Sequence, residues 1–287
     1  MAQLIPLLLK ASIFGMVFAI GLRLSRDEAT WVLRHPRALI LGALAMFVIM
    51  PLVAALLYVG LRPDAPTGLI LMATALSPIP PILPNKEMKA GAGAREAVGL
   101  MVAAGLLAIV IVPFGAEWMA SWFGIAVDVP AGPTARIVVA TVLLPVLAGL
   151  VVSGLAPRAA ERLADPVAKL AGLLLVLAAL PVLVQTAPAQ WRLLGGGTLL
   201  AFLLFAVVGV VVGHVLGGPE ANNRTVLAVS TASRHPGVTA AVALAVVPDA
   251  QGVLPGALLY LIVSVIVTGV YLAWRRRVST PPATTAS

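Results

Sequence analysis

The segment 77–85 reads Ser-Pro-Ile-Pro-Pro-Ile-Leu-Pro-Asn and ends an apolar stretch, 66–84, that is long enough to cross a membrane. Four prolines in seven positions cannot continue a regular helix, because each lacks an N–H and clashes with the preceding turn. A second apolar stretch, 222–248, is interrupted at 230–237 by Ser-Thr-Ala-Ser-Arg-His-Pro-Gly. Irregular backbone at membrane depth is tolerated only inside protein or along a wet cavity. The two segments therefore predict two discontinuous helices that line an internal site.

The composition of the whole chain places these segments in a membrane protein. The 287 residues are 61% hydrophobic and 10% charged, whereas about 25% charged residues are usual in soluble domains. A water-soluble fold could not bury so much apolar surface, which excludes a soluble enzyme, a disordered chain and a coiled coil. Cysteine is absent from the sequence, so a disulfide framework, a thiolate metal site and a cysteine nucleophile are excluded as well.

The apolar pattern predicts an all-α polytopic membrane protein with nine transmembrane helices in one domain, residues 1–278, followed by a disordered polar tail, 279–287. The first segment has no clear cleavage site and is interpreted as a retained span. Aromatic residues after the fourth segment predict a separate interfacial helix containing Trp118, Trp122 and Phe123. The nine segments are 4–22, 38–60, 66–84, 95–115, 133–155, 167–185, 194–217, 222–248 and 254–274.

The two interrupted segments occupy corresponding places in two halves of the chain, 1–125 and 133–274. Each is followed by one further span, and the halves contain four and five spans. Counting back from the interruptions, the second half starts on the opposite side of the membrane from the first. This arrangement predicts an inverted repeat of the kind found in secondary transporters.

The distribution of basic residues predicts the orientation of the chain. Fourteen Lys and Arg residues fall on one set of alternate loops and three on the other. The positive-inside rule therefore predicts a multi-pass protein of the inner (plasma) membrane with the N-terminus outside and the C-terminus in the cytoplasm. The net charge of +8 is explained by topology, so that the expected partner is the lipid bilayer and not nucleic acid. A monomer or weak homodimer is expected.

Buried positive charge is the main chemical signal. All eleven acidic residues map to loops or span ends, which leaves no acid at mid-membrane for a proton relay or a cation site. Arg234, in contrast, lies in the second interruption, where a charge costs at least about 2.5–3.5 kcal/mol. Its guanidinium offers a permanent fork of donors to a carboxylate, sulfonate or phosphate. Alternatively, Arg234 bonds backbone carbonyls that the interruption leaves free and only holds the two segments together.

The other candidate residues are polar groups near the same interruptions. His235 is either a ligand or pH-sensitive group, or a structural donor to the backbone, and the hydroxyls line a cavity or bond back to their own helix. Lys10, in the first span, either contacts substrate or extends its side chain to the membrane surface. The predicted substrate-binding residues are Ser77, Pro80, Asn85, Ser230, Thr231, Ser233, Arg234 and His235. Motifs of metalloproteases, serine hydrolases and P-loop ATPases do not occur in the sequence, so that no enzyme and no cofactor is expected.

Three stretches resemble the bile acid:sodium symporter family of secondary transporters. Residues 77–95 (SPIPPILPNKEMKAGAGAR) resemble the first crossover segment of that family and the loop after it. Residues 144–150 (LPVLAGL) resemble its Pro-x3-Gly helix, and 223–244 (NRTVLAVSTASRHPGVTAAVAL) resemble its second crossover. The resemblance implies a panel domain, a core domain in which the two broken helices cross, and transport of an organic anion, bile-acid-like or a small carboxylate, by alternating access with sodium.

The resemblance also implies where sodium would bind, and the residues there differ from the family pattern. The positions of the family's glutamate and glutamine fall on Ser230 and Arg234, and Pro84 stands where a serine is expected. Asn85 and Ser230 remain as a possible residual sodium site. Where hydroxyls would complete the site, the next helix has Ala97, Val98, Gly99, Val102 and Ala103.

These differences lead to the hypothesis that the fixed charge of Arg234 replaces a bound cation, so that anion binding needs no sodium. Three alternatives to sodium symport stay open at this point. They are a sodium-independent facilitator, a proton-coupled or efflux carrier, and a membrane sensor that does not transport.

Overall fold

The computed structural model describes residues 4–24, 34–84, 87, 93–122 and 131–279, and nearly all regular structure in these ranges lies in ten helices. Two of them pass through a π-helical turn. The helices are α1 (Leu4–Arg23), α2 (Pro36–Leu44, Ala45–Ile49 and Met50–Leu61), α3 (Ala65–Leu76), α4 (Ala94–Trp122), α5 (Ala131–Val138, Val139–Leu143 and Leu144–Leu155), α6 (Pro157–Leu193), α7 (Thr198–Leu216), α8 (Ala221–Ala232), α9 (Pro236–Val246) and α10 (Val253–Ser279).

Six of the helices in the described part of the chain are long and apolar enough to cross a membrane: α2, α4, α5, α6, α7 and α10. The prediction of an all-helical polytopic membrane protein is therefore confirmed. The count of nine spans stays a prediction, because it also requires α1 and both interrupted segments to cross.

Two predicted span limits are wrong. The sequence predicts the sixth span over 167–185, but α6 runs from Pro157 to Leu193 and contains three internal prolines. Proline is tolerated inside membrane helices because neighbouring groups satisfy the backbone that it frees. The fourth span continues to Trp122, so Trp118 and Trp122 extend α4 and do not form a separate interfacial helix. Phe123 lies outside the described residues, as do 280–287 of the predicted tail.

The helices pack as two units. Helices α1, α5 and α6 pack on one another and form a three-helix unit, while α2, α3, α4 and α7 to α10 form a seven-helix unit. The units touch where α4 and α9 contact α5 and where α6 contacts α10. The large hydrophobic core lies mainly in the seven-helix unit.

Glycines allow the closest helix contacts in both units. In the three-helix unit a Cβ on Gly149 would lie 2.4 Å from Phe18 O of α1. The seven-helix unit has glycines at four-residue spacing, Gly209, Gly213 and Gly217. A Cβ added to any of them would contact backbone atoms of α8. Such stripes of small residues let membrane helices approach backbone to backbone.

Helix ends that the loop charges assign to the same side of the membrane contact one another. Arg23 at the end of α1 pairs with Asp165 near the start of α6 at 2.5 Å, and both belong to the end expected in the cytoplasm. At the opposite end the hydroxyls of Thr67 on α3 and Thr198 on α7 lie 2.6 Å apart. The orientation of these ends relative to a membrane stays a prediction.

Candidate functional site

The two interrupted segments meet inside the seven-helix unit. Helix α3 ends at Leu76 and Ser77 is extended (φ −78°, ψ 146°), while α8 ends at Ala232 and Ser233 is also extended (φ −99°, ψ 135°). The backbone N–H of His235 donates to Pro78 O at 2.8 Å. We call residues 77–80 and 233–235 the crossover. The two interrupted segments therefore lie in contact, as the sequence predicts.

The side chain of His235 caps the helix that follows the crossover. Its Nδ1 accepts hydrogen bonds from the N–H groups of Gly237 at 3.1 Å and Val238 at 3.4 Å. Pro236 occupies the first turn of α9, where a missing N–H costs nothing. Because Nδ1 accepts, the neutral ring carries its proton on Nε2. His235 is thus bound to the backbone as an acceptor, whereas the structural alternative expected a donor.

Arg234 is 1% exposed and bonds two backbone carbonyls. Its Nη1 donates to Ser77 O at 3.1 Å and its Nη2 donates to Met46 O at 3.4 Å. The Met46 carbonyl lies in the π-helical turn of α2, where the Met50 N–H bonds to Ala45 O. Pro51 follows and has no N–H to offer. The guanidinium therefore takes a carbonyl that α2 leaves free, and of its two acceptors Ser77 O is the one that belongs to an interruption.

Five buried polar atoms around the crossover have no hydrogen-bond partner within the described ranges. Such groups cost about 1–3 kcal/mol each unless water or a ligand satisfies them. The structure thus concentrates unused hydrogen-bonding capacity at the place where the sequence predicts a binding site. The atoms are Thr74 Oγ1, Ser77 Oγ, Thr231 Oγ1, Arg234 Nε and His235 Nε2.

Glu87 is a buried acid beside the second interrupted segment. Its side chain is fully buried, and its Oε1 accepts a hydrogen bond from Ser230 Oγ at 3.1 Å. The sequence places Glu87 next to Lys86 and thus in a polar loop. The contact with α8 joins residues 143 positions apart, and only the tertiary fold brings them together.

The remaining predicted site residues are placed as follows. Ser230 bonds to Glu87 and not to its own helix. Ser233 and Pro80 are buried in the crossover. Lys10 lies exposed on α1, which packs mainly on α5 and α6 and not on the crossover. Asn85 lies outside the described residues, so the possible sodium site of Asn85 and Ser230 stays untested.

Tyr260 of α10 is a residue of the site that the sequence analysis missed. Its hydroxyl donates to Ala232 O, the last carbonyl of α8, at 2.5 Å. Its ring is fixed edge to face against Phe202 at 5.6 Å and Phe205 at 5.7 Å. Its position inside an apolar span was the available signal, since a buried phenol usually has a polar partner.

A cavity of about 360 Å³ opens at the end of the bundle where α2, α4 and α8 begin. Charged residues Arg34, Arg37 and Glu220 lie among its lining, and Leu100 and Leu227 form part of its apolar wall. Leu227 precedes Ser230 by three residues, or about 4.5 Å along a helix. Groups of three or more His, Cys, Asp or Glu that could hold a metal ion are absent among the residues described.

Taken together, these features define a helical membrane protein in which two interrupted helices cross around buried polar groups. A model of the Sodium Bile acid symporter family matches residues 11–190, and the chain belongs to this family of transporters. The match ends within α6, so the second half of the crossover lies beyond it. No curated protein matches the chain.

Proposed function

We propose that the chain is a secondary transporter of an organic anion, either bile-acid-like or a small carboxylate. The observation that carries the proposal is the buried guanidinium of Arg234, surrounded by polar atoms without partners among the residues described. A guanidinium in a water-poor site attracts a carboxylate or sulfonate strongly. The crossover is closed to solvent in this structure, so an anion reaches it only if the protein opens.

The two packing units supply a way to open. In the proposed mechanism the seven-helix unit is the core domain and moves against the three-helix unit, which is the panel domain. Tight glycine contacts hold each unit together internally. Relative motion of the two units would expose the crossover alternately to either side, as expected for transporters with discontinuous helices.

The contacts of Arg234 favour transport without sodium. Hard cations are bound by several oxygen ligands, and two carbonyls of the crossover region, Ser77 O and Met46 O, already bind the guanidinium. The fixed positive charge also repels a second cation nearby. Arg234 thus takes the place that a bound sodium ion would have, which is the hypothesis drawn from the sequence.

Counterflow in proteoliposomes tests this function. Vesicles with the full chain are loaded with unlabelled taurocholate or pyruvate, and entry of the labelled anion is measured in sodium and in choline. We expect counterflow of at least one anion, equal in both media, and its loss in Arg234→Gln but not in Gly269→Ala. Absence of counterflow for both anions contradicts organic anion transport. Strict dependence on sodium contradicts the sodium-independent mechanism and favours symport.

A further inference from the structure

The cavity where α2, α4 and α8 begin contains two buried oxygen atoms that have no hydrogen-bond donor in the described part of the chain. Glu96 is 4% exposed, and its Oε1 accepts from Arg95 Nε at 2.9 Å while its Oε2 is left over. Asn223 donates from Nδ2 to Glu220 Oε2 at 2.8 Å, and its buried Oδ1 is left over as well. Both residues line the cavity. Unused acceptors of this kind indicate a ligand that brings N–H or O–H donors.

The position of Glu96 in its own helix does not explain the unused oxygen. A carboxylate in the first turn of a helix often accepts hydrogen bonds from the free N–H groups of that turn. Oε2 of Glu96 lies close to Gly93, where a Cβ would overlap it, and it accepts no hydrogen bond there. A negative charge that is buried in a cavity and only half satisfied favours a cationic donor, such as an ammonium group.

The mouth of the cavity has the opposite sign. Arg34 and Arg37 are exposed at the start of α2, and His35 lies between them. The exposed Glu220 is the acid that stands against them at the mouth. The first turns of α2 and α8 also contribute to the lining, and helix N-termini carry partial positive charge. This mouth suits a phosphate group, which guanidinium groups and helix N-termini bind well.

The cavity also has an apolar wall and lies at the level where membrane spans end. Helices α2 and α7 are long and apolar enough to be spans, and the cavity adjoins the start of one and the end of the other. Next to it, Ile40 and Val215 are 62% and 70% exposed, so that apolar surface borders the cavity on both helices. The apolar lining residues are Leu41, Leu100, Leu216, Val226 and Leu227.

We propose that this cavity binds the headgroup of a phospholipid that has an ammonium group with N–H donors, of the phosphatidylethanolamine type. Such a lipid has acyl chains, a phosphate and an ammonium group in that order. The order matches the exposed apolar surface, the basic mouth and the buried acceptors Glu96 Oε2 and Asn223 Oδ1. A bound headgroup would join the first turns of α2, α4 and α8 within the seven-helix unit. This inference does not depend on transport of an anion.

A series of lipids that differ only in their N–H groups tests the recognition of the ammonium group. The purified full chain is titrated in detergent with dioleoyl-phosphatidylethanolamine, its N-methyl and N,N-dimethyl derivatives and dioleoyl-phosphatidylcholine, and bound lipid is counted by native mass spectrometry. We expect affinity to fall along the series, by about tenfold or more in total, because a hydrogen bond to a charged group contributes about that much. Equal affinities for the four lipids overturn the proposal.

Two variants separate the ammonium group from the phosphate. Arg37→Gln should weaken phosphatidylethanolamine and phosphatidylcholine alike, since both have the phosphate. Glu96→Gln should weaken phosphatidylethanolamine more and so reduce the ratio of the two affinities. Arg277→Gln, which removes an exposed arginine outside the cavity lining, is the control and should bind as the wild type. An unchanged ratio in Glu96→Gln, or an equal loss in Arg277→Gln, overturns the proposal.

A melting curve shows whether each variant folds. If Glu96→Gln does not fold, Asn223→Ala removes the other acceptor at a half-buried position, and the same fall in the ratio is expected. Phosphorylethanolamine, added alone, has the same phosphate and ammonium groups without chains. We expect it to bind at least about tenfold more weakly than the lipid, because acyl chains add buried apolar area. Binding as tight as that of the lipid would show that the ligand is a soluble zwitterion and would overturn the assignment to a lipid.

Discussion

Replacement of Gly213 by alanine tests the close packing of α7 on α8, which fixes the position of the crossover. A Cβ at this position would lie 2.3 Å from Leu227 O and 2.5 Å from Ala228 Cα. Both are backbone atoms, so no side-chain rotation relieves the overlap. Non-bonded heavy atoms prefer separations of about 3.5 Å. The overlap is therefore relieved only if α8 moves away from α7 by about 1 Å. We expect a loss of about 2–3 kcal/mol in stability, the upper part of the range for overpacking.

The free energy of unfolding in mixed micelles, followed by tryptophan fluorescence, measures this effect. Gly269→Ala is the matched control, because its Cβ meets open space and it also lies within a helix. Alanine there should leave stability unchanged or raise it by about 0.5–1 kcal/mol, as its helix propensity predicts. Equal stability of Gly213→Ala and Gly269→Ala would refute the argument that backbone contact between α7 and α8 is limiting.

Three further substitutions probe the crossover and the three-helix unit. Tyr260→Phe leaves Ala232 O without its donor, and we expect a loss of about 1–3 kcal/mol in the same unfolding assay; a stability equal to wild type would show that this hydrogen bond is replaced. Arg234→Lys keeps the charge but not the fork that reaches two carbonyls, so that KM for the counterflow anion should rise; an unchanged KM speaks against a role for the guanidinium geometry. Gly149→Ala places a Cβ 2.4 Å from Phe18 O and should cost about 1–3 kcal/mol by overpacking; unaltered stability would mean that α1 and α5 separate freely.

The interruptions and their meeting could be predicted from the sequence because local chemistry decides them. Prolines at 78, 80, 81 and 84 end a helix wherever it lies, and so does the polar run before Pro236. The rule that irregular backbone avoids lipid then brings the two segments together. The bond from His235 N to Pro78 O is the outcome of these two constraints.

The partners of the site residues could not be predicted, because they depend on contacts between distant parts of the chain. The carbonyl of Met46 becomes available only through the π-helical turn before Pro51, and nothing near Arg234 in sequence indicates it. Glu87 follows Lys86 in a polar stretch of the sequence, and its burial depends on a contact with the distant helix α8. The four-residue spacing of Gly209 and Gly213 is readable, but the helix that packs on it is not.

The central claim is that the crossover is a binding site that opens to both sides of the membrane in turn. The chain has no cysteine, so that a single Ser233→Cys variant carries a single thiol in a side chain that is 4% exposed in this structure. Ser264→Cys provides a buried control in α10, where the serine is 1% exposed.

The decisive measurement is labelling of each variant by a membrane-impermeant thiol reagent, added to one side of oriented vesicles at a time. We expect that Ser233→Cys reacts from both sides, that the transported anion slows both reactions, and that Ser264→Cys stays unlabelled. Reaction of Ser233→Cys from one side only, or from neither, would contradict this expectation.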